Sequence, residues 1–207
     1  MNAYILAGGR STRMGRDKAL LEFAGRPLIA HAVSLLCSIG LKPLIAGNRP
    51  DLSQFAPCVP DTYPNCGPLG GIEAALTVSD THLNLFLPVD LPLMPPKFLT
   101  WMIERAERTQ ACATVPSLLG RPQPLCAIYS KDLLPSLQVA LKAGNYKVIS
   151  AIEAAAHQAR QSMDTFQVET VAAALLAPGA WPQEPPLHRW FQNINTPADY
   201  TRACSHS

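Results

Sequence analysis

The chain has 207 residues, of which 48% are hydrophobic and 15% are charged, and this composition predicts one folded domain and excludes a disordered chain. The formal net charge of +2 is too small to indicate a protein that binds nucleic acid or a membrane surface. The charge is uneven, because residues 1–50 carry seven lysines and arginines against Asp17 and Glu22. This local excess favours a site for one small anion.

The six cysteines form no C-x-x-C pair and have no accompanying histidine cluster. Buried, reduced thiols are therefore expected, and a zinc site is disfavoured. The sequence contains no secretory leader and no run of about 18 apolar residues. It therefore predicts a cytoplasmic protein.

The first motif is a short apolar run that ends at two glycines and continues as a basic loop. Residues 4–7 predict a buried strand, and Gly8-Gly9 allows the backbone to turn sharply above the strand end. The amides of such a loop bind phosphate oxygens, and three arginines and Lys18 add positive charge. We predict a polyphosphate site, with an ordinary turn and solvated arginines as the alternative. The stretch is neither a G-x-G-x-x-G loop nor a Walker loop.

The elements that follow alternate between strand and helix. Hydrophobic spacing and turn residues predict helices at 28–39, 72–78, 95–108, 132–142, 146–156 and 168–176, and strands at 44–46, 58–59, 83–90, 111–116 and 125–129. Strand, helix and strand within about forty residues favour a parallel sheet. We therefore expect an α/β fold with three layers, a mostly parallel central sheet and a Rossmann-like nucleotide-binding half.

Two further motifs lie at the ends of these elements. Gly67 to Gly71 (GPLGG) precede a predicted helix, where free amides and the helix dipole favour an anion; close packing of helix on strand is the alternative. Asp90 ends a strand on the same rim of the sheet as Gly8. A helix cap is the alternative role for Asp90, but a triphosphate site needs a metal, and magnesium takes one or two protein carboxylates. Asp90 is therefore the predicted metal ligand.

The motif L-A-G-G-x-x-x-R-M-G-x-D-K at 6–18 resembles the loop of the molybdenum cofactor guanylyltransferases (molybdopterin-guanine dinucleotide biosynthesis protein A family). G-P-L-G-G, P-V-D-L-P and the closing N-x-N-T-P-x-D at 193–199 are similar to the family motifs in the same order. The resemblance implies the fold of nucleotide-diphospho-sugar transferases. It also implies transfer of GMP from GTP to the terminal phosphate of molybdopterin, with release of pyrophosphate.

The resemblance also assigns roles to individual residues. It gives catalytic roles to Arg13, Lys18 and Asp90, with Asp90 as the Mg²⁺ ligand. The implied binding residues for nucleotide and pterin are Leu6, Ala7, Gly8, Gly9, Lys18, Asn48, Asp61, Gly70, Gly71, Asn193 and Asn195. Ala46 stands where the family is expected to have an asparagine. Either Asn48 substitutes for it or that contact with the guanine is lost.

The implied organisation is a single domain over 1–207, with a GTP-binding N-terminal half, a pterin-binding C-terminal half and an insertion or linker over 165–189. The implied partners are GTP, molybdopterin, other proteins of molybdenum cofactor biosynthesis and molybdoenzymes, without nucleic acid or membrane.

Three other functions stay open. A cytidylyl or sugar-phosphate nucleotidyltransferase shares the loop and the aspartate, but not G-P-L-G-G or N-x-N-T-P. A non-catalytic carrier of nucleotide or pterin is disfavoured by the joint presence of Lys18 and Asp90. A P-loop kinase needs a Lys-Ser/Thr pair that this loop lacks.

Overall fold

The computed structural model describes residues 1–7, 17–175, 187–194 and 199. The strands in these residues are Asn2–Leu6 (β1), Glu22–Phe23 (β2), Arg26–Pro27 (β3), Pro43–Ala46 (β4), Cys58–Val59 (β5), Leu83–Pro88 (β6), Ala113–Leu118 (β7), Arg121–Pro122 (β8), Ala127–Ser130 (β9) and Met163–Gln167 (β10). The helices are Leu28–Ser38 (α1), Gly67–Val78 (α2), Pro96–Thr109 (α3), Leu134–Lys142 (α4), Val148–Ala159 (α5), Val168–Leu175 (α6) and Leu187–Trp190 (α7).

The central sheet has eight strands, seven of them in the order β10-β7-β9-β6-β1-β4-β5, with β8 paired to β7. β1 pairs in parallel with both β4 and β6, and the β4–β5 and β7–β10 pairs are parallel as well. β9 runs antiparallel between β6 and β7. The predicted α/β fold with a mostly parallel sheet is confirmed.

The sheet lies between two helical layers, as β1 illustrates. Ala3 and Ile5 belong to a core cluster with residues of α1 and α3, whereas Tyr4 and Leu6 belong to a second cluster with residues of α2, α4 and α5. Successive side chains of a strand point to opposite faces of its sheet. The alternation therefore places one layer of helices on each face, and the prediction of three layers is correct.

Strand β6 carries the chain to the rim where the site lies. All six of its residues are buried, which explains its nearly continuous apolar sequence, since a central strand covered on both faces has no polar side. Val89 and Asp90 follow it directly and are also buried. Because β6 lies beside β1, Asp90 is placed next to the end of the first strand.

The first residues of the predicted insertion or linker over 165–189 have regular secondary structure. Residues 165–167 belong to β10, which extends the sheet beside β7, and α6 follows. Arg105 of α3 donates two hydrogen bonds to Asp164 of β10, at 2.6 and 2.8 Å. Only Phe166 of this edge strand is buried, so its sequence lacks a strong apolar pattern. Residues 176–186 lie outside the described part of the chain.

The described cysteines are free thiols; they are Cys37, Cys58, Cys66, Cys112 and Cys126. Cys66, Cys112 and Cys126 are buried, whereas Cys37 is exposed. None of the helices among the described residues combines the length and the apolar character of a bilayer-spanning helix.

Candidate active site

The carboxyl ends of β1, β4 and β6 meet at one edge of the sheet. In the parallel register Leu6 pairs with Ala46 of β4 and with Pro88 of β6, and the Val89 amide donates to the Leu6 carbonyl at 3.2 Å. A cavity of about 110 Å³ opens at this edge. Its lining consists of Leu6, Lys18, Ala46, Gly47, Asp61, Gly67, Pro68, Gly71, Pro88, Val89, Asp90 and Leu125. Ligands of open parallel sheets bind at this position.

Lys18 and Asp90 form an ion pair in the cavity wall. The Lys18 Nζ donates to the Asp90 Oδ2, and Asp90 is only 7% exposed. Lys18 begins a short 3₁₀ turn, which Asp17 caps by accepting from the Ala19 amide at 3.0 Å. The Asp90 carbonyl accepts from the Ile194 amide at 3.1 Å, so the closing segment of the chain holds this rim.

Asp61 contributes a second carboxylate to the cavity. It follows β5, and its Oδ1 is buried without a hydrogen-bond partner among the described residues. Burial, and secondarily the nearby carboxylate of Glu73, raises the pKa of Asp61 above its usual value of 3.8. A buried acceptor that lacks a donor is energetically costly, and such a group in a cavity wall is suited to a ligand that supplies the donor.

The two glycines of α2 play different structural roles. A Cβ at Gly70 would lie 2.9 Å from the Tyr63 carbonyl oxygen, so Gly70 permits close packing of helix and loop. A Cβ at Gly71 would lie 3.6 Å from both the Ala46 Cβ and the Asp61 Oδ1, which are ordinary contacts. Gly71 thus lines the cavity and Gly70 does not.

The structure brings together five of the predicted site residues: Leu6, Lys18, Asp61, Gly71 and Asp90 line the cavity. Asn48 and Asn193 are exposed and do not line it. Ala7 and Gly70 are buried at its edge without lining it. The remaining predicted residues, Gly8, Gly9, Arg13 and Asn195, lie outside the described residues.

Arg49 is the functional candidate that the sequence analysis missed. It is 5% exposed, forms ion pairs with Asp17 and Asp51, and donates to the Ala7 carbonyl at 3.0 Å. The sequence signal available was an arginine three residues after the end of β4 and two residues before Asp51. That signal is weak, because arginines in turns are generally solvated.

The carboxylate set fits a magnesium site that is completed by a substrate. Within the described ranges, no group of three or more His, Cys, Asp or Glu side chains is placed to hold a metal ion. Magnesium, however, is commonly held by one or two carboxylates together with substrate phosphates. Asp90 supplies a buried carboxylate in the cavity wall, with Lys18 beside it as a second positive group for phosphate oxygens.

The fold and the cavity together define a nucleotide-binding α/β protein, in which a lysine and two carboxylates converge at the strand ends. The sequence model of one protein family, the MobA-like NTP transferase domain, matches residues 3–161 of this chain. The chain belongs to this family.

Individual relatives extend the similarity over most of the chain. A probable molybdenum cofactor guanylyltransferase of Flavobacterium johnsoniae is 33% identical over 76% of this chain and 83% of that protein. A protein of the same name from Carboxydothermus hydrogenoformans is 31% identical over 98% of this chain and 94% of its own. The crystal structure of molybdopterin-guanine dinucleotide biosynthesis protein A from Archaeoglobus fulgidus superposes with a TM-score of 0.78 at 24% identity, covering 98% and 96% of the two chains. The similarity to this crystal structure is a similarity of fold.

Proposed function

We propose that the chain transfers GMP from GTP to the terminal phosphate of molybdopterin and releases pyrophosphate, with Mg²⁺ as the metal. The observation that carries the proposal is the composition of one cavity. It combines the Lys18–Asp90 pair with a buried carboxylate oxygen of Asp61 that has no hydrogen-bond partner among the described residues. The Lys18–Asp90 pair is suited to bind a triphosphate, and the Asp61 carboxylate is suited to bind a nucleobase. The names of the relatives support the same activity.

Lys18 and Asp90 are proposed to act on the phosphates. The attacking group is itself an anionic phosphate, so the reaction needs two anions held in line rather than a general base. An ammonium group carries three donor hydrogens, which allows Lys18 to contact Asp90 and a phosphate oxygen together. Asp90 is the proposed Mg²⁺ ligand, and the metal would offset charge on the attacked phosphate and the leaving pyrophosphate. Arg13 is proposed as a further phosphate contact.

Asp61 is proposed to select the base. Guanine presents two adjacent donors on one edge, the ring N–H and the exocyclic amine, whereas adenine and cytosine present one donor beside an acceptor. An ionised carboxylate accepts only, so it matches guanine best. Ala46 contributes a methyl group to this wall, and Asn48 is exposed and does not line the cavity. Asp61 is therefore proposed to contribute more to base selection than Ala46 or Asn48.

The cavity lining supports the N-terminal part of the proposed division of the chain. Eleven lining residues lie between Leu6 and Asp90, and Leu125 alone comes from the later part of the described chain. We propose that the N-terminal half binds GTP and that the C-terminal half receives molybdopterin. A cytoplasmic location and contacts with other cofactor-biosynthesis proteins and molybdoenzymes are part of the same proposal.

Calorimetric titration with GTP, CTP, ATP and UTP in the presence of Mg²⁺ tests the proposal. We expect measurable binding of GTP and at least about tenfold weaker binding of the other nucleotides, since one well-formed charged hydrogen bond exceeds 1.4 kcal/mol. Lys18→Ala serves as the control for binding through the triphosphate. Preference for CTP would move the chain to a cytidylyl transferase, and no binding of any nucleotide would refute the proposal.

A further inference from the structure

The Arg49 guanidinium connects three separate parts of the chain. Its Nε and Nη2 donate to the two carboxylate oxygens of Asp51 at 3.0 and 2.7 Å. Its Nη1 donates to the Ala7 carbonyl at 3.0 Å, and its Nη2 also donates to the Asp17 Oδ2. All three nitrogens are used, which only a planar guanidinium allows, because lysine has a single nitrogen.

Two partners of Arg49 lie on either side of the first loop of the chain. Ala7 directly follows β1, and Asp17 directly precedes Lys18, so one buried side chain links the end of the first strand to the start of the 3₁₀ turn. Asp17 uses its Oδ2 for Arg49 and its Oδ1 to cap that turn. The turn begins with Lys18, whose Nζ reaches Asp90. Hydrogen bonds from Arg49 to Asp17 and from Asp17 to the turn, together with the backbone of the turn itself, thus connect Arg49 to the Lys18–Asp90 pair.

Arg49 itself does not line the cavity and is 5% exposed. A buried guanidinium is stabilised only when its donors are well paired, and here the two carboxylates of Asp17 and Asp51 supply two negative charges. The hydrogen bond to Asp51 is the main cause that raises the pKa of Arg49 above its usual value. The side chain is therefore a fixed charge behind the cavity wall.

We propose that Arg49 is a positioning residue for the nucleotide site: its contact with the Ala7 carbonyl anchors the guanidinium at the end of β1, and through Asp17 it sets the place of Lys18 against Asp90. The inference rests on the proposed function wherever it is tested by measuring GTP affinity. Arg49 touches neither GTP nor metal in this assignment, so its effect on binding passes through Lys18.

The first test compares two Arg→Lys variants. Arg49→Lys breaks the three-way contact, and Arg105→Lys is the matched control, because Arg105 also forms a bidentate pair, with Asp164, away from the cavity. We expect both variants to lower thermal stability, but only Arg49→Lys to weaken GTP binding, by about tenfold, within the range of couplings between connected residues.

A double-mutant cycle separates positioning from general damage. In a Lys18→Ala background, Arg49→Lys should change GTP affinity by less than about twofold, because the residue through which it acts is absent. An undiminished tenfold effect in that background would show that Arg49 acts by another route and would overturn the proposal. If Arg49→Lys does not fold, Asp17→Asn replaces it, since asparagine still caps a helix start but loses the charge that faces Arg49.

A readout without nucleotide keeps the inference distinct from the proposed function. The Lys18 side chain is 25% exposed, so acetylation by an amine reagent, followed peptide by peptide with mass spectrometry, reports how firmly it is held. Arg49→Lys should raise the labelling rate of Lys18 severalfold, whereas Arg105→Lys should not. Failure of wild-type protein to bind GTP would refute the guanylyl assignment alone. Wild-type labelling of Lys18 in Arg49→Lys would refute the positioning role.

Discussion

Replacing Asp61 with asparagine should have opposite effects on nucleotide affinity and on stability. The change preserves the shape of the side chain but removes its charge and gives it a donor group. In the cavity wall the Asp61 Oδ1 is a buried acceptor without a described partner. The variant therefore loses a ligand contact while it relieves the cost of a desolvated carboxylate.

The affinity loss follows from the hydrogen bonds at stake. A hydrogen bond to a charged group contributes about 1.5–3 kcal/mol, which corresponds to a roughly 10- to 150-fold change in Kd. Asparagine also turns an N–H toward the donor edge of guanine, so the loss should lie in the upper part of this range. Ala46 beside it offers no hydrogen-bonding side chain to compensate.

The stability change has the other sign. Burial raises the pKa of Asp61 in the folded protein above 3.8, so the folded state favours the protonated form. That contribution to stability is fully present below the unfolded pKa and is lost as the pH rises through the folded pKa. At neutral pH the ionised carboxylate therefore destabilises the ligand-free protein, and Asp61→Asn should raise its Tm.

Calorimetry with GTP and thermal denaturation without it measure the two effects. Wild-type affinity should also fall on acidification, beginning above the pH expected for an ordinary aspartate, because only the ionised Asp61 accepts both guanine donors. The variant should lack that phase. A variant that binds GTP within about twofold of wild type, or one that loses stability at neutral pH, would refute this reasoning.

The remaining predictions use the same assays. Lys18→Ala should lower GTP affinity and, by leaving Asp90 unpaired, lower the free energy of unfolding by about 1–3 kcal/mol; unchanged binding and turnover would contradict the phosphate role. Asp90→Ala should abolish Mg²⁺-dependent turnover, and activity that still responds to Mg²⁺ would show that another group holds the metal. Gly70→Ala should destabilise the protein by about 1–3 kcal/mol, because the added methyl group would lie too close to the Tyr63 carbonyl oxygen. Gly71→Ala should leave the Tm unchanged and weaken GTP binding. Equal Tm values for the two variants would refute their separate roles. Asp164→Asn should lower stability by about 1–2 kcal/mol without affecting GTP, and a nucleotide effect would mean that β10 influences the cavity.

Local signals in the sequence were sufficient for the central part of the fold. Strand β6, which Val89 and Asp90 follow, is almost entirely apolar because both its faces are covered, and the glycines of GPLGG mark the start of α2. Since parallel strands direct their carboxyl ends to one edge, Asp90 was expected beside the first loop with its Lys18, whereas Asp61 was expected from the family resemblance alone; the cavity lining includes all three.

Long-range contacts were less accessible to sequence analysis. The Arg49 contact with Asp17 spans 32 positions, and no local pattern distinguishes it from a solvated arginine. The edge strand β10 buries one residue, so alternation was too weak to identify it. Asn48 stays the predicted substitute for the asparagine expected at Ala46; the turn after β4 leaves its side chain exposed, which no local pattern in the sequence indicated.

Incubation of the purified protein with GTP, Mg²⁺ and molybdopterin, with mass spectrometry of the products, examines the proposed reaction as a whole. We predict one equivalent of pyrophosphate and a molybdopterin–guanine dinucleotide joined through a pyrophosphate bond, with no such product from CTP. Tight binding of both substrates without pyrophosphate release, or a cytosine dinucleotide in place of the guanine one, would contradict the guanylyl transfer proposed for this chain.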